Sequence, residues 1–599
     1  MAATIEQLSD GVIETDFLII GGGLVGSLAA IRARKNSKDM DITVIDKATM
    51  EYSGDGVGLD NFNQIPLHKE DVGKKQADSH AVKKGAMGTE RYKGLKQTKL
   101  AEIQAKNTYV SVPLLEEIGV KLHEDDGSIK VLQGYRKGTV WGRIEYDENG
   151  KPYEPLFGTL CRGSDLKMRL GTAVRKAGVR VLDRTMVTSI ITKDGKAIGA
   201  TAVNVRTGKF IVFKAKTLLL ATGMAARLYP YPWAPYPNNL FYTLTAPMNH
   251  GGGHICALDA GAKLWNMEIN IVYNVSKGIN HSSGGGACNW YFKMYNSKGE
   301  YLEDKYPDSN VAKAGGMIPG VNFLYSPKIG ESECEKDVIL SAKNIATDDE
   351  IAAVYFTAAT EPPRALKFHK LAGGLTNERP VECVPVLVGI GMQASGGVLR
   401  ENEYAETGVK NLFAGGTVSG GGSAGSHGFT WACLIADHVT ELAKGEKREA
   451  FGTEQLRQVE ATRKSVLSPL AQRSDYRVNP LELEDYVRNV NYNYVGIKRV
   501  KAKMDRAIEL LRFAYKGAVP LLYANNPHEL MRALEVKDII RISELHAQFA
   551  LRRTESRMAP AHYRDDYPDM DPAWDDMIVT ARNIGGEIQY DRERLNKDA

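Results

Sequence analysis

Apolar and polar positions along this chain switch between two periods. Thr15–Ile20 is a short β-rich run in which Phe17, Leu18, Ile19 and Ile20 are all apolar. An apolar run of that length, ended by glycines, predicts a buried strand. Gly21-Gly22-Gly23-Leu24-Val25-Gly26 comes next, followed by the helix-like SLAAIRARK. Ile42-Thr43-Val44-Ile45 predicts a second strand, closed by Asp46. Two later segments repeat the strand-then-glycine pattern: Lys214–Gly223 reads KAKTLLLATG, and Asn411–Gly416 reads NLFAGG. The latter continues through SGGGSAGSHGF into another predicted helix. From about residue 454 the pattern is helical. Asn526-Pro527-His528-Glu529 combines a capping residue, proline at the first helical position and a capping-box glutamate. Leu530, Leu534, Val536, Ile540 and Leu545 then lie on one broad apolar face.

The strand–GxGxxG–helix–strand–acid order, with Asp46 20 residues after Gly26, points to dinucleotide binding. Gly21, Gly23 and Gly26 permit a tight turn, close approach of a pyrophosphate and close helix–strand packing. The helix N-terminus offers N–H donors and the positive end of its dipole to phosphates. Asp46 is placed to accept hydrogen bonds from an adenosine ribose. A dinucleotide core that is interrupted by hundreds of residues and closed near position 430 is unlike a simple NAD domain. It resembles the two-dinucleotide-binding-domain flavoproteins, which makes FAD the expected cofactor. The glycine-rich lead into the last core helix places the N–H groups of Gly425 and Ser426 near the flavin pyrimidine edge, where a helix N-terminus stabilises an anionic reduced flavin.

Composition narrows the picture. The chain has 599 residues, 43% apolar and 25% charged, with a net charge of +4 and no basic run. Nucleic acid and acidic membrane surfaces are therefore not expected partners. The N-terminal stretch MAATIEQLSDGVIETD is acidic and lacks a signal-like apolar segment, so the expected location is cytoplasmic. Cys161, Cys256, Cys288, Cys334, Cys383 and Cys433 are scattered without a CxxC, and no metal or iron–sulfur ligation by this chain is expected. The segment LYPYPWAPYPNNLFY opens a long insert, and its prolines exclude a helix. The polar stretch 561–599, rich in Asp and Arg, reads as a surface tail.

IETDFLIIGGGLVGSLAA, FKAKTLLLATG, ALDAGAKLWNMEI, NLFAGGTVSGG and the stretch from HELMRALEV to RDDYP resemble the fumarate reductase/succinate dehydrogenase flavoproteins in order and spacing. Within that family the likeness runs most strongly to adenylylsulfate reductase alpha subunits. The resemblance implies an α/β fold: a Rossmann-like FAD-binding domain, an inserted α+β capping domain and a C-terminal helical domain. The corresponding ranges are 1–225 and 366–450 for the FAD-binding domain, 226–365 for the capping domain, 451–560 for the helical domain and 561–599 for the tail. It also implies hydride exchange at flavin N5, in the cleft between the FAD and capping domains.

The cofactor positions carried over are Gly21, Gly23, Gly26, Asp46, Lys47, Ser53, Gly54, Val187, Ala221, Thr222, Gly223, Gly416, Thr417 and Ser426. Two departures from the family pattern stand out. The acid that commonly follows the FAxG strand is Thr417 here, and a hydroxyl bonds a ribityl chain more weakly than a carboxylate does. Tyr52-Ser53-Gly54-Asp55-Gly56 lacks the histidine that respiratory members join covalently to FAD, so a non-covalent flavin is expected. Asn63 matches an asparagine facing flavin and substrate. No arginine occurs from Leu228 to Pro363, whereas nine lysines do. The family's dianion-binding arginines of this insert are thus missing, and a lysine does not reproduce the bidentate fork.

These departures favour a dehydrogenase or reductase of a different small organic molecule. The acid/base candidates are His250, His254, His281, His427 and Tyr291, with His281 and His427 in glycine-rich loops. Alternatives are adenylylsulfate reductase, a soluble fumarate reductase, or a non-catalytic electron-transfer flavoprotein. The chain carries no evident second cofactor motif, so a ferredoxin-like iron–sulfur subunit is the expected electron partner.

Overall fold

A computed structural model describes residues 4–58, 61–64, 66–73, 95, 97–130, 159–162, 165–230, 242–243, 246–276, 293–295, 338–341, 380–391, 396–420, 426–557 and 561–596. The first apolar run is the end of strand β1 (Gly11–Ile20), whose residues 17–20 are all buried. Such a strand needs a neighbour on each edge and a cover on each face. The glycine turn feeds helix α1 (Leu24–Asn36), and the chain returns as β2 (Ile42–Ile45). β2 runs parallel to β1 in the register Phe17↔Ile42 to Ile20↔Ile45.

Helix α2 (Leu166–Lys176) precedes β3 (Arg180–Leu182), β4 (Thr185–Lys193), β5 (Lys196–Asn204) and β6 (Phe210–Leu220). β7 (Leu412–Ala414) is the NLFAGG strand. Together they make a seven-stranded sheet in the order β3-β2-β1-β6-β5-β4, with β7 also paired to β6. β6 pairs with β5 through residues 210–214 and with β7 through 218–220. The meander β4–β5–β6 is antiparallel, while β3, β2, β1, β6 and β7 run parallel. The carboxyl ends of β1, β2, β6 and β7 therefore converge, and the cleft opens there, as open α/β sheets lead one to expect.

Between β6 and β7 lies helix α3 (Gly252–Asp259) and a second sheet. That sheet joins Ile271–Ser276, Pro380–Gly389, Val338–Ser341 and Lys293–Tyr295, with Tyr242–Thr243 alongside Pro380–Gly389. Helix α4 (Ser426–Gly445) covers the main sheet beside α1. Arg32 of α1 holds Asp437 of α4 through two bonds of 2.6 and 2.9 Å.

The helical region contains α5 (Thr453–Ala471), α6 (Pro480–Tyr494), α7 (Lys501–Gly517) and α8 (Pro527–Arg552). α8 starts as its sequence predicts: Asn526 accepts the Glu529 N–H at 3.0 Å, and Pro527 takes the first helical position. Its five predicted face residues are buried, but so are Met531, Ile539, Ile542 and Phe549. The helix is covered on most of its surface, so its burial is broader than a single stripe.

The stretch expected to be a surface tail is a structural element. β8 (Met577–Ile584) and β9 (Glu587–Arg594) form an antiparallel hairpin, and β8 also pairs with Leu264–Trp265. Ile578, Val579, Thr580 and Ala581 are buried. The many charges that suggest solvation instead pair with one another in and beside this region. Arg553 Nε donates to Glu268 at 2.5 Å and its Nη1 to Glu555 at 3.0 Å. Arg557 holds Glu555 at 2.7 Å and Asp575 at 2.9 Å.

Glu268 and Arg553 are both fully buried. Removing one member of such a pair strands the other charge, at a cost of about 3–5 kcal/mol. Glu268→Ala is therefore expected to lower the thermal midpoint much more than Asn526→Ala, which deletes an exposed cap worth about 1 kcal/mol. Parallel melts of the two variants check this order.

Candidate functional site

The cleft at the carboxyl ends of β1, β2, β6 and β7 has about 1220 Å³ of empty space, part of it open to solvent. Its floor is the first glycine turn. Gly21, Gly23, Leu24 and Val25 line it, so the first turn of α1 points its N–H groups inward. Gly251, Gly252 and Gly253, at the start of α3, line the opposite side and present a second helix N-terminus. Gly428 adds a residue from the first turn of α4.

Two glycines of the motif do different work. A Cβ at Gly26 would overlap the Gly21 carbonyl oxygen and reach to 3.0 Å from the Ile19 side chain. A Cβ at Gly23 would meet nothing within 4 Å and would project into free space. Gly26 is needed by the fold, and Gly23 by whatever fills the cleft.

Asp46 closes β2 and lines the cleft. Its Oδ2 accepts the Gly22 N–H at 2.7 Å and its Oδ1 the Ala48 N–H at 2.7 Å. The carboxylate thus fixes the glycine turn while each oxygen keeps a lone pair for a ribose hydroxyl. Ser53 is buried, and its hydroxyl donates to the Gly22 carbonyl at 3.1 Å. Its contribution is to hold the turn, with Gly54 forming the lining beside it. Beneath this segment lies Lys167 of α2, bonded to the Met50 carbonyl. Burial pulls the Lys167 amine down to about 8, against the upward pull of Asp46, Glu51 and Asp183.

Ala221, Thr222, Gly223, Val187, Gly416 and Thr417 all line the cleft, as the sequence reading places them. The Thr222 hydroxyl is buried and has no hydrogen-bond partner, so a polar group in the cleft is what it lacks. Lys47 lines the cleft too, but its ammonium turns into the protein. It donates to the Met248 carbonyl at 2.7 Å, His250 Nδ1 at 2.9 Å and Glu535 Oε1 at 2.5 Å. Ser426 begins α4.

The proton-transfer candidates are dispersed. His281 and Tyr291 lie outside the described residues, as does Gly425. Asn63 sits in the short strand Asn61–Gln64, opposite Leu160. His254 is fully buried on α3, neither ring nitrogen makes a hydrogen bond, and burial pulls its pKa down to about 4. His427 adjoins the cleft-lining Gly428. His250 lines the cleft, and its Nε2 faces Asp538 of α8 at 3.3 Å.

Sequence reasoning passed over Asp55 and Asn249. Asp55 lines the cleft between Gly54 and Gly56. It accepts the Ala246 N–H at 2.9 Å and Asn249 Nδ2 at 2.5 Å, tying the glycine turn to the segment that leads into α3. Burial pushes its carboxyl up to about 6, although both hydrogen bonds act downward. The only local signal was an acid inside a glycine-rich run beside the nucleotide motif.

Two outcomes are expected from this geometry. Gly23→Val should fold with a near-parental melting curve yet lose flavin, whereas Gly26→Val should lower stability even without cofactor. Flavin absorbance and apoprotein melts distinguish them. Asp55 supplies the second. Its folded pKa of about 6 lies above the ordinary value of 3.8, so the folded state binds its proton more tightly. Stability from this group is present below 3.8 and is lost as pH rises through about 6. In cofactor-free protein, Asp55→Asn should therefore gain on the parent between those values and match it near pH 3.8. Melting curves across that range check the slope.

Comparison with known proteins agrees with the geometry. Residues 16–273 match the FAD binding domain family, and residues 484–596 match the fumarate reductase flavoprotein C-terminal family. An uncharacterized FAD-dependent oxidoreductase of Methanocaldococcus jannaschii is 24% identical over 578 residues, covering 95% of this chain and 96% of the relative. A fumarate reductase (CoM/CoB) subunit of Methanothermobacter marburgensis is 24% identical, covering 70% of this chain and 74% of its own. The adenylylsulfate reductase structure from Archaeoglobus fulgidus superposes with a TM-score of 0.74 at 20% identity, covering 99% of this chain and 97% of its own. The dinucleotide cleft, the helical end and these matches together make the chain an FAD-dependent oxidoreductase of the fumarate reductase/succinate dehydrogenase flavoprotein family.

Proposed function

We propose that this protein is a dehydrogenase or reductase of a small organic molecule that holds FAD non-covalently and exchanges electrons with an iron–sulfur partner protein in the cytoplasm. The observation that carries the reading is a single dinucleotide cleft with no second electron carrier in the sequence. Bound FAD supplies hydride exchange at N5. The protein's own part is to hold the phosphates at the N-termini of α1 and α3, the ribose at Asp46 and the ribityl chain near Gly416 and Thr417. Non-covalent attachment is supported by the absence of any histidine in Tyr52–Gly56. A partner is supported by the scattered cysteines, which offer no cluster ligation, and by the name of one relative, which makes it part of a larger enzyme. Among the described residues no group of three or more His, Cys, Asp or Glu is placed to hold a metal, and no helix is long and apolar enough to cross a membrane.

His427 and His281 are the proposed proton-transfer residues, with Asn63 and Tyr291 facing substrate. His427 is favoured by its place beside Gly428 at the cleft. His254 is the weaker choice, since a buried imidazole held neutral down to about pH 4 does not cycle protons at neutral pH. The arginine-free stretch from Leu228 to Pro363 supports a substrate other than a dianion gripped by a guanidinium fork from the insert.

Native purification should yield a yellow protein that brings down iron and releases its colour on acid precipitation. Colour retained in the pellet would contradict non-covalent binding. A substrate panel read by flavin bleaching should give negligible turnover with fumarate or adenylylsulfate, and a robust rate with either would replace this reading. With the responding substrate, His427→Ala should slow bleaching by about 10²–10⁴-fold.

A further inference from the structure

The cleft wall formed by residues 248–252 is backed by a helix from the C-terminal end of the chain. Gly251 lies so close to α8 that a Cβ there would stand 2.8 Å from the Ile542 side chain. A Cβ at Gly252 would stand 2.9 Å from the Asp538 carboxylate and 2.5 Å from His250 Nε2. The wall is thus bare of side chains where α8 presses on it. The two polar side chains that do line the cleft there, Lys47 and His250, are both gripped from α8.

The grip is specific in its chemistry. An ammonium has three protons, and Lys47 gives them to Met248, His250 and Glu535 of α8. With Lys47 donating to Nδ1, the imidazole of His250 carries its proton on Nε2, which faces Asp538 of α8 at 3.3 Å. Glu535 and Asp538 are one helical turn apart and so address the same side. Glu535 is fully buried and also holds Arg227, at 2.5 Å, and Arg532, at 3.0 Å. Arg227 in turn pairs with Glu484 of α6 at 2.6 Å. The end of β2, the segment after β6 and two C-terminal helices therefore share one ionic network whose edge is the cleft wall.

We propose that α8 is part of the FAD site: Glu535 and Asp538 are positioning residues that fix Lys47 and His250 in the cleft wall, so that flavin affinity depends on the C-terminal helix without that helix touching the cofactor. If the network served stability alone, its loss would lower the melting temperature of apoprotein and holoprotein alike. If it shapes the site, the stabilisation gained on adding flavin falls as well, because that gain is set by affinity.

The test uses the full-length protein stripped of flavin, with Glu535→Gln and Asp538→Asn compared to the parent. FAD dissociation constants come from fluorescence quenching, and melting temperatures are taken with and without saturating FAD. Each variant is expected to bind FAD about tenfold more weakly, the scale of one charged hydrogen bond lost. The flavin-induced rise in melting temperature should shrink with it. Asp538 is 19% exposed and its pair is peripheral, so Asp538→Asn decides the matter if Glu535→Gln does not fold. Parental FAD affinity in the folded variants, with equal melting losses in apo and loaded forms, would overturn the proposal.

Discussion

The buried guanidinium of Arg227 constrains more of this structure than any other single group. It is about 1% exposed and cannot shed its charge. Taking it out of water is tolerable only because Glu484 accepts from Nε and Nη2, Glu535 from Nη1, and the Pro247 carbonyl shares Nη1. Those acceptors come from α6, from α8 and from the segment entering α3. Four parts of the chain must assemble around one cation before any of them is complete. Ion pairs this deep add little net stability compared with apolar packing, but leaving one unmade is costly. The network therefore acts as a test of correct assembly: an arrangement that misplaces α6 or α8 strands a charge.

The same cation sits only a few residues beyond Ala221–Gly223, the turn that lines the cleft. Glu535 is drawn well below the ordinary carboxylate range, since Lys47, Arg227, His250 and Arg532 together outweigh the upward push of burial. Its charge is thus maintained by groups on the sheet side as well as by its own helix. The dinucleotide turn and the helical end are electrostatically one body. A description of the helices as an appendage to a cofactor domain misses that the cleft wall at residues 248–252 has its backing in α8.

What was legible in the sequence follows the range of the physics. β1, its glycine turn, α1, β2 and Asp46 are specified by neighbours within a few dozen residues, so apolar period and glycine placement disclose them. The cap of α8 is equally local, and Asn526 with Pro527 behaves as written. The Arg227 network was not legible, because its partners lie 257 and 308 residues away and nothing local marks Glu484 or Glu535 as buried. The C-terminal stretch misled for the same reason. Asp and Arg crowded into a short segment have the composition of a solvated tail. Here Arg553, Arg557 and Arg564 are buried, because Glu268, Glu555, Asp575 and Asp566 meet them. Asp55 was passed over because its meaning depends on Asn249, 194 residues away.

The charges around the cleft explain how it receives an anionic dinucleotide without a free cation among the described lining residues. Those residues include one lysine and no arginine, and Lys47 has spent its protons on the protein. Asp46 and Asp55 add acidic groups to the same wall. Side-chain charge alone would leave the cleft poorly disposed to phosphate. What remains positive is the backbone: the first turns of α1 and α3, both entered through glycine, with open N–H groups and aligned peptide dipoles. Backbone donors cannot swing away or be lost by changing protonation, so their geometry is set once the turn is folded. That places the burden of cofactor recognition on the shape of two glycine turns. It also explains why so many polar side chains nearby, Asp46 on Gly22, Ser53 on Gly22 and Asp55 on Ala246, spend their hydrogen bonds fixing backbone.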